Sequence, residues 1–398
     1  MSDGSLLQEA SSQNTKKYKI KDIPPDHFFT KPVFLDEKFI LTVPEMPFTG
    51  TMIKTLEDWE FDEVSSAGVP TEKMVANGLS SSLDWDALAD ATLTNADKMI
   101  LAEEFFAELI KYVETLFTQV AQENKLNYPS LNARTKIICD IIRKDRRLLL
   151  MLQKHDLSSL RYNYLASHSV KSTIISIIIG LRLMLPEQRL IELGVAALLH
   201  EVGMVRLPAQ LFTSNRPLLP VEQNAVRAHP VLGYNLLRAS DFPLSVSLAA
   251  LEHHERENGS GYPRMLLGNK ISLYAKIIAV ACSYEALSAQ RPHKEAKDGH
   301  TGILELLKNE GKLYDSTVVR ALVYSLSIYP VGLYVLLSNG RTGQVVDVNP
   351  ETPRYPFVQI LGRITHDDEK IIKTSQDGIS IIRPLKKEEV EQELTGSS

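Results

Sequence analysis

The 398-residue chain is long enough for two or three domains, each with its own hydrophobic core. Its formal net charge of -5 gives no overall attraction to nucleic acid or anionic lipid, so we predict no DNA partner and no membrane insertion. The most apolar run, Ile174 to Leu185, is too short to span a bilayer. Cys139 and Cys282 are the only cysteines, which excludes a disulfide framework. With a polar N-terminus that lacks a secretory signal, these features favour a cytoplasmic protein.

The residue pattern predicts a mainly α protein in which an all-helical domain is flanked by smaller regions. Short β-prone pieces broken by Pro and Gly precede residue 68, and helical periodicity then continues to about residue 330. The predicted segments are a disordered tail (1–18), a small mixed α/β region with its linker (19–94), a helical connector (95–155), the central helical domain (156–330), a small barrel-like β appendage (331–383) and a charged tail (384–398).

The connector contains two amphipathic helices. In the first, apolar residues recur at spacings of three and four from Phe105 to Val120, which makes one apolar stripe. This stripe could mediate a homodimer, and packing against the protein's own core explains it equally well. In the β appendage, alternating apolar residues flank Asn339-Gly340, which predicts a hairpin with a two-residue turn.

The central domain carries a set of histidines that packing alone does not explain. Imidazole is the commonest neutral metal ligand, and adjacent carboxylates allow a site to hold two ions. One pair, His200-Glu201, ends an apolar helix and could place an imidazole on one metal and a bridging carboxylate between two. One histidine on an apolar helix is usually a hydrogen-bonded core residue, but burying five imidazoles without partners would be costly. The five are His168, His200, His229, His253 and His254.

The spacing of these residues resembles a known family. The segments LLHEVG, HPVLGYNLL and LEHHERENGSGYP, in that order, resemble the HD-GYP family of HD metal-dependent phosphohydrolases. The resemblance covers about 155–330. It implies an HD-type helical fold, two divalent metal ions (iron or manganese, with zinc as an alternative) and cyclic di-GMP as the substrate. It also implies a role in bacterial signalling. The protein partner is unknown from the sequence.

The resemblance assigns roles residue by residue. His200 and Glu201 stand at the catalytic His-Asp motif, and both, with the other four histidines, correspond to metal ligands. The GYP motif, which in the family forms the wall beside the substrate, is Gly261, Tyr262 and Pro263. Arg291 and Lys294 stand where the family contacts substrate phosphates and guanine.

Several positions depart from the family pattern. The family aspartate after the first motif histidine is Glu201, whose longer side chain can still ligate or bridge metals. The family lysine becomes Met204, which cannot protonate a leaving group. A later aspartate ligand falls at Cys282, which either ligates as a thiolate or is a buried inert thiol. The loop aspartate is Asn258, and Tyr164 replaces a glutamate that binds a third metal in some members.

These departures leave three hypotheses for function. The first is a slow cyclic di-GMP phosphodiesterase whose final product is pGpG or, after a second cleavage, GMP. The second is a cyclic di-GMP sensor that binds the nucleotide without cutting it, which the changes at Glu201, Met204 and Cys282 favour. The third is a hydrolase of another nucleotide phosphate ester, since HD-type sites serve many nucleotides.

Overall fold

The computed structural model describes most of the chain, and by internal packing it forms two compact units. One unit comprises residues 1–86 with 127–137, and the other comprises 87–126 with 138–398. The described residues are 15–36, 40–42, 44, 47–72, 95–144, 164–213, 216–288, 299–361, 371–375, 378–386 and 389–390. The predicted linker (78–94) and the predicted contacts at Arg291 and Lys294 lie outside them.

The first unit is a small mixed α/β structure, as the sequence predicts. Its antiparallel sheet has the order β1-β5-β3-β4, and β2 pairs with β6. Phe29, Phe48 and Leu56 are fully buried in its core. The elements are β1 (Lys16–Lys19), β2 (Phe28–Phe29), β3 (Val33–Phe34), β4 (Ile40–Thr42), α1 (Gly50–Asp58), β5 (Glu63–Ser66) and β6 (Pro70–Thr71). Strand β1 begins within the predicted tail, 1–18, because its backbone pairs with β5.

The second unit is mainly helical. The helices are α2 (Asn95–Glu123), α3 (Tyr128–Lys144, shared between the units), α4 (Tyr164–Arg182), α5 (Glu187–Leu199), α6 (Gln210–Thr213), α7 (Pro220–Val226), α8 (His229–Ala239), α9 (Leu244–Glu252), α10 (Leu273–Ser288), α11 (Gly299–Lys308) and α12 (Ser316–Leu326), with 3-10 turns at Val202–Arg206 and Gly268–Lys270. The α2 stripe is buried, and α2 packs against α4. Core packing therefore accounts for the stripe, and the homodimer stays a prediction.

Helix α4 lies at the centre of this unit. It packs against α5, α10, α12 and α2, and its residues from Leu165 to Gly180 are almost all buried. Its β-branched run from Ile174 to Ile179 has weak helix propensity, which burial on all sides overrides. The helix is long and apolar enough to cross a bilayer by length and composition alone, yet 83% of that window is buried inside the protein. This is the pattern of a core helix.

The second unit ends in an antiparallel sheet of five described strands, with the order β10-β9-β8-β7-β11. The strands are β7 (Tyr334–Leu337), β8 (Thr342–Asp347), β9 (Phe357–Ile360), β10 (Ile371–Lys373) and β11 (Ile381–Pro384). Its core includes Val335, Val345 and Val358. Within the described residues β10 and β11 are unpaired edges, so the sheet is open where the sequence suggested a barrel.

Two details of this region correct the sequence prediction. The hairpin turn has three residues, 338–340, because Leu336 pairs with Thr342 and the Leu337 N–H donates to the Arg341 carbonyl. Gly340 takes the left-handed conformation (φ 78°) that closes such a loop. Part of the predicted charged tail is packed, since Val390 is buried and Arg383 pairs with Glu389 at 2.7 Å.

Candidate metal centre

Four helices bring the five histidines together at their ends. His168 lies near the start of α4, His200 follows α5, His229 begins α8, and His253 and His254 follow α9. Their ligand atoms form two groups, each within 4.8 Å, that share Glu201. One group is Glu201, His229, His253 and His254, and the other is His168, His200 and Glu201.

The Glu201 carboxylate lies among three imidazoles. Its oxygens are 3.4 Å from Nε2 of His229, 3.6 Å from Nε2 of His200 and 3.8 Å from Nε2 of His168. Two ligands about 2.1 Å from one tetrahedral ion lie about 3.4 Å apart. The spacing is therefore that of atoms around a metal, and Glu201 stands where it can bridge the two groups.

The outward-facing nitrogens of three histidines are fixed by the backbone of their own segments. Nδ1 of His200, His229 and His253 each lies within 2.8 Å of the carbonyl three residues earlier. A carbonyl can only accept, so each Nδ1 carries the proton and each Nε2 of the neutral ring presents a lone pair. Such hydrogen bonds are the usual outer support of metal-bound histidines.

The inward-facing nitrogens lack the partners that a metal-free core would supply. Nε2 of His229 and Nε2 of His253 are 3.1 Å apart, and two lone pairs at that distance repel unless a cation lies between them. Among the described residues, the fully buried Nε2 of His200 has no hydrogen-bond partner. Leaving such an atom unpaired is costly, and a divalent ion satisfies both arrangements. The donor set therefore fits a metal.

Burial and mutual charge keep the centre in the ligand-ready protonation state. Burial lowers the pKa of His200 to about 4, and the pKa values of His253 and His254 also lie well below the usual histidine value, chiefly through burial. Burial alone would raise the pKa of Glu201, but His229, His200 and the other imidazoles lower it to about 2. Near neutral pH His200, His253 and His254 are therefore neutral and Glu201 is a carboxylate.

Two glycines let the segment that carries Glu201 approach α8. A Cβ at Gly203 would lie 2.0 Å from the carbonyl oxygen of His229 and 2.5 Å from the backbone nitrogen of Gly233. Neither backbone atom can move aside independently. The glycines at these two positions therefore set the distance between Glu201 and His229.

The loop after His254 is anchored by a buried carboxylate. Glu255 accepts hydrogen bonds from the backbone N–H groups of Arg264 (2.7 Å) and Leu266 (2.9 Å). A Cβ at Gly261 would lie 2.4 Å from the Cα of Glu255, so this close return of the chain needs glycine. Pro263 follows in the same loop, which folds the GYP motif back against the histidine pair.

Tyr262 forms the wall next to the metal ligands. Its ring stacks on His254 with centroids 4.6 Å apart and planes 15° apart. The guanidinium of Arg227, an exposed side chain, lies 5.4 Å from the centroid of the Tyr262 ring. An exposed cation thus stands beside Tyr262 and the candidate metal centre.

Cys282, which the resemblance places at a ligand position, is in neither ligand group of the described residues, and its role as a ligand stays a prediction. The side chain is buried, and its thiol lies 3.6 Å from the carbonyl oxygen of Ala279 in the same helix. Burial raises the pKa of the thiol to about 12. Met204 is buried in the 3-10 turn that follows Glu201. The ring of Tyr164 stacks on the His168 ring, with centroids 5.7 Å apart.

Sequence reasoning missed two residues of the centre. Glu285 is 3% exposed and bonds Nδ1 of His168 across the helix interface. A signal was present, since an acidic residue in the apolar run AVACSYEAL must find a partner when that face is buried. No sequence signal marked Arg227, because exposed arginines near helix ends are common. Its contact with Tyr262 is known only from the structure.

Comparisons with known proteins agree with this architecture. A family model described as an HD domain matches residues 153–318. The cyclic di-GMP phosphodiesterase PdeB of Borreliella burgdorferi is 26% identical over 211 residues, which are 52% of this chain and 56% of that protein. A cyclic di-GMP phosphodiesterase of Pseudomonas aeruginosa is 32% identical over 226 residues, 56% of this chain and 53% of that protein. The chain spans about half the length of these curated relatives.

A solved structure has the same fold. A protein of Bdellovibrio bacteriovorus, described as an HDG"Y"P protein, superposes with a TM-score of 0.50 and 15% identity. The match covers 78% of this chain and 98% of that one. The HD domain, the relatives and the His/Glu cluster lead to one assignment. Together they support an HD-GYP family protein, with residues 153–318 matching the HD domain model.

Proposed function

We propose that this protein is a metal-dependent phosphodiesterase that hydrolyses cyclic di-GMP to pGpG and onward to GMP. The observation that carries the proposal is the position of Glu201, a carboxylate 13% exposed that is shared by two groups of histidines. A single-metal structural site would not need a carboxylate common to two ligand sets. The names of the relatives, both cyclic di-GMP phosphodiesterases, support this substrate.

The donor set suits two divalent ions of the first transition row. Mixed imidazole and carboxylate ligands favour iron or manganese, with zinc as the alternative. Glu201 with His168 and His200 would hold one ion, and Glu201 with His229, His253 and His254 the other. When bound, such ions lower the pKa of water and offset the charge of a phosphate ester.

The protein's own side chains supply the remaining chemistry. Arg227 is an exposed cation beside Tyr262, and half-buried Arg256 points its guanidinium to the carbonyls of His253 and Glu255. These two cations favour an anionic substrate at this opening. Met204 cannot donate a proton to the leaving oxygen, and losing a general acid costs about 10²–10⁴ in rate. We therefore propose slow turnover.

The test is anaerobic turnover of cyclic di-GMP by purified protein loaded with Fe²⁺ or Mn²⁺, with products separated by chromatography. His200→Ala serves as the inactive control, since it removes an imidazole that is wholly buried in the centre. Glu192→Gln is the control outside the centre: Glu192 is half-buried, accepts hydrogen bonds from Ser245 and Tyr274 at 3.2 Å, and belongs to neither ligand group of the described residues. We expect pGpG or its further product GMP from native protein and Glu192→Gln, and neither from His200→Ala.

Other outcomes would select a different function. Tight cyclic di-GMP binding without product from metal-loaded protein would contradict the proposal and indicate a sensor. Cleavage of a different nucleotide ester but not of cyclic di-GMP would indicate the third hypothesis. The homodimer through residues 95–155 and a separate protein partner remain predictions, which light scattering and cross-linking of the full chain would test.

A further inference from the structure

Glu285 forms a contact that joins two helices at the metal centre. Its carboxylate, on α10, is 3% exposed, and one oxygen is hydrogen-bonded to Nδ1 of His168 on α4. Nε2 of the same imidazole faces Glu201, 3.8 Å from its Oε1. The His168 ring therefore lies between two carboxylates, that of Glu285 at Nδ1 and that of Glu201 on the side of Nε2.

This arrangement sets His168 apart from three of the other ligands. Nδ1 of His200, His229 and His253 donates to a neutral backbone carbonyl three residues earlier, a contact that each segment makes within itself. His168 instead has an ionisable side chain 117 residues away as its partner. A carboxylate behind a histidine fixes the ring's orientation and makes Nε2 a stronger donor to a metal than a carbonyl does.

The position of Glu285 also bears on the altered residue Cys282. The two residues are three apart on α10, so they lie on the same side of that helix about one turn apart. The group of His168, His200 and Glu201 has one carboxylate, and the thiol at Cys282 faces a backbone carbonyl. A carboxylate one turn later, acting through His168, supplies negative charge that the thiol does not.

We infer that Glu285 is a positioning residue: it holds His168 with Nε2 toward Glu201 and thereby sets the metal affinity of the group formed by His168, His200 and Glu201. The inference deepens the proposed function and rests on it for its catalytic meaning. Its test uses Mn²⁺ alone, without nucleotide, so its failure is separate from a failure to cleave cyclic di-GMP.

The test compares native protein with Glu285→Gln, which keeps the side-chain volume and removes the charge. In metal-free protein labelled with ¹⁵N-histidine, the His168 signals, assigned by their loss in His168→Gln, should show the Nδ1–H tautomer in the native chain. Glu285→Gln should lose that preference, because an amide can also donate to Nδ1. Mn²⁺ titration should show the affinity of one ion lowered about 10–100-fold and that of the other unchanged.

Glu192→Gln is the matched control, since it makes the same chemical change in a carboxylate that bonds Ser245 and Tyr274. It should leave both the tautomer and the two affinities at native values. The inference is overturned if Glu285→Gln keeps the native His168 tautomer and both affinities. It is equally overturned if both ions are weakened alike, because that result would mean a general structural role.

Discussion

Replacing Gly203 by alanine should separate the two segments that carry Glu201 and His229. The new Cβ would lie 2.0 Å from the carbonyl oxygen of His229, and contacts under 3.0 Å do not occur at real Cβ atoms. The backbones must therefore part by at least about 1 Å, against a present Oε2–Nε2 distance of 3.4 Å between the two side chains. Forced overpacking of this kind costs about 1–3 kcal/mol of folding free energy.

The assay is urea unfolding of the metal-free protein followed by Mn²⁺ titration. Gly302→Ala is the matched control: Gly302 lies in α11, and its Cβ would meet only side-chain atoms of Tyr284 and Leu287 at 3.4–3.7 Å. Alanine there should be neutral or stabilise by about 0.5–1 kcal/mol, because alanine favours helix. If Gly203→Ala matched Gly302→Ala in stability and metal affinity, the close approach would not position the ligands as argued.

Three further predictions concern protonation, the thiol and the loop. The pKa of His200 is lowered from 6.5 to about 4, so the unfolded chain binds more protons than the folded one between these values. In the metal-free protein, the free energy of unfolding should therefore have its full value above pH 6.5. It should fall by up to about 3 kcal/mol through this group as the pH falls to 4. A free energy of unfolding in urea that does not change over this pH range would contradict the prediction. Cys282→Ala should leave the number of bound Mn²⁺ ions unchanged. Loss of an ion in this variant would show that the thiol is a ligand. Glu255→Gln leaves one of the two loop N–H groups without an acceptor. It should therefore lower the free energy of unfolding by about 1–3 kcal/mol and speed amide hydrogen exchange at 264–266. Exchange at the native rate there would show that the Glu255 carboxylate does not anchor the loop.

The histidine centre could be predicted because its members lie in short, ordered motifs at helix ends. His200-Glu201 and His253-His254 are adjacent in sequence, so their placement needs only the local helix boundary. The mainly α architecture and the small sheets at each end also followed from periodicity. These features depend on neighbours within one turn or one strand, which a sequence displays directly.

The features that were missed depend on contacts between distant segments or on side-chain direction. The His168–Glu285 bond joins residues 117 apart, and no local pattern pairs them. The resemblance left Cys282 as either a ligand or a buried thiol, and only the structure places its Sγ 3.6 Å from the carbonyl oxygen of Ala279. The turn ending at Gly340 has three residues where the sequence predicted two. The strand register, which is set by packing of the whole sheet, selects the loop length.

The most direct test of the metal centre is the Mn²⁺ stoichiometry of native protein, His168→Ala, His254→Ala and Glu201→Ala, measured after gel filtration. Since Glu201 belongs to both ligand groups while each histidine belongs to one, the variants should differ in a fixed pattern. We predict about two ions in the native chain, about one in each histidine variant and weakened binding of both in Glu201→Ala. Loss of a single ion in Glu201→Ala, or no loss in any variant, would contradict the claim that the Glu201 carboxylate is shared by both ligand groups.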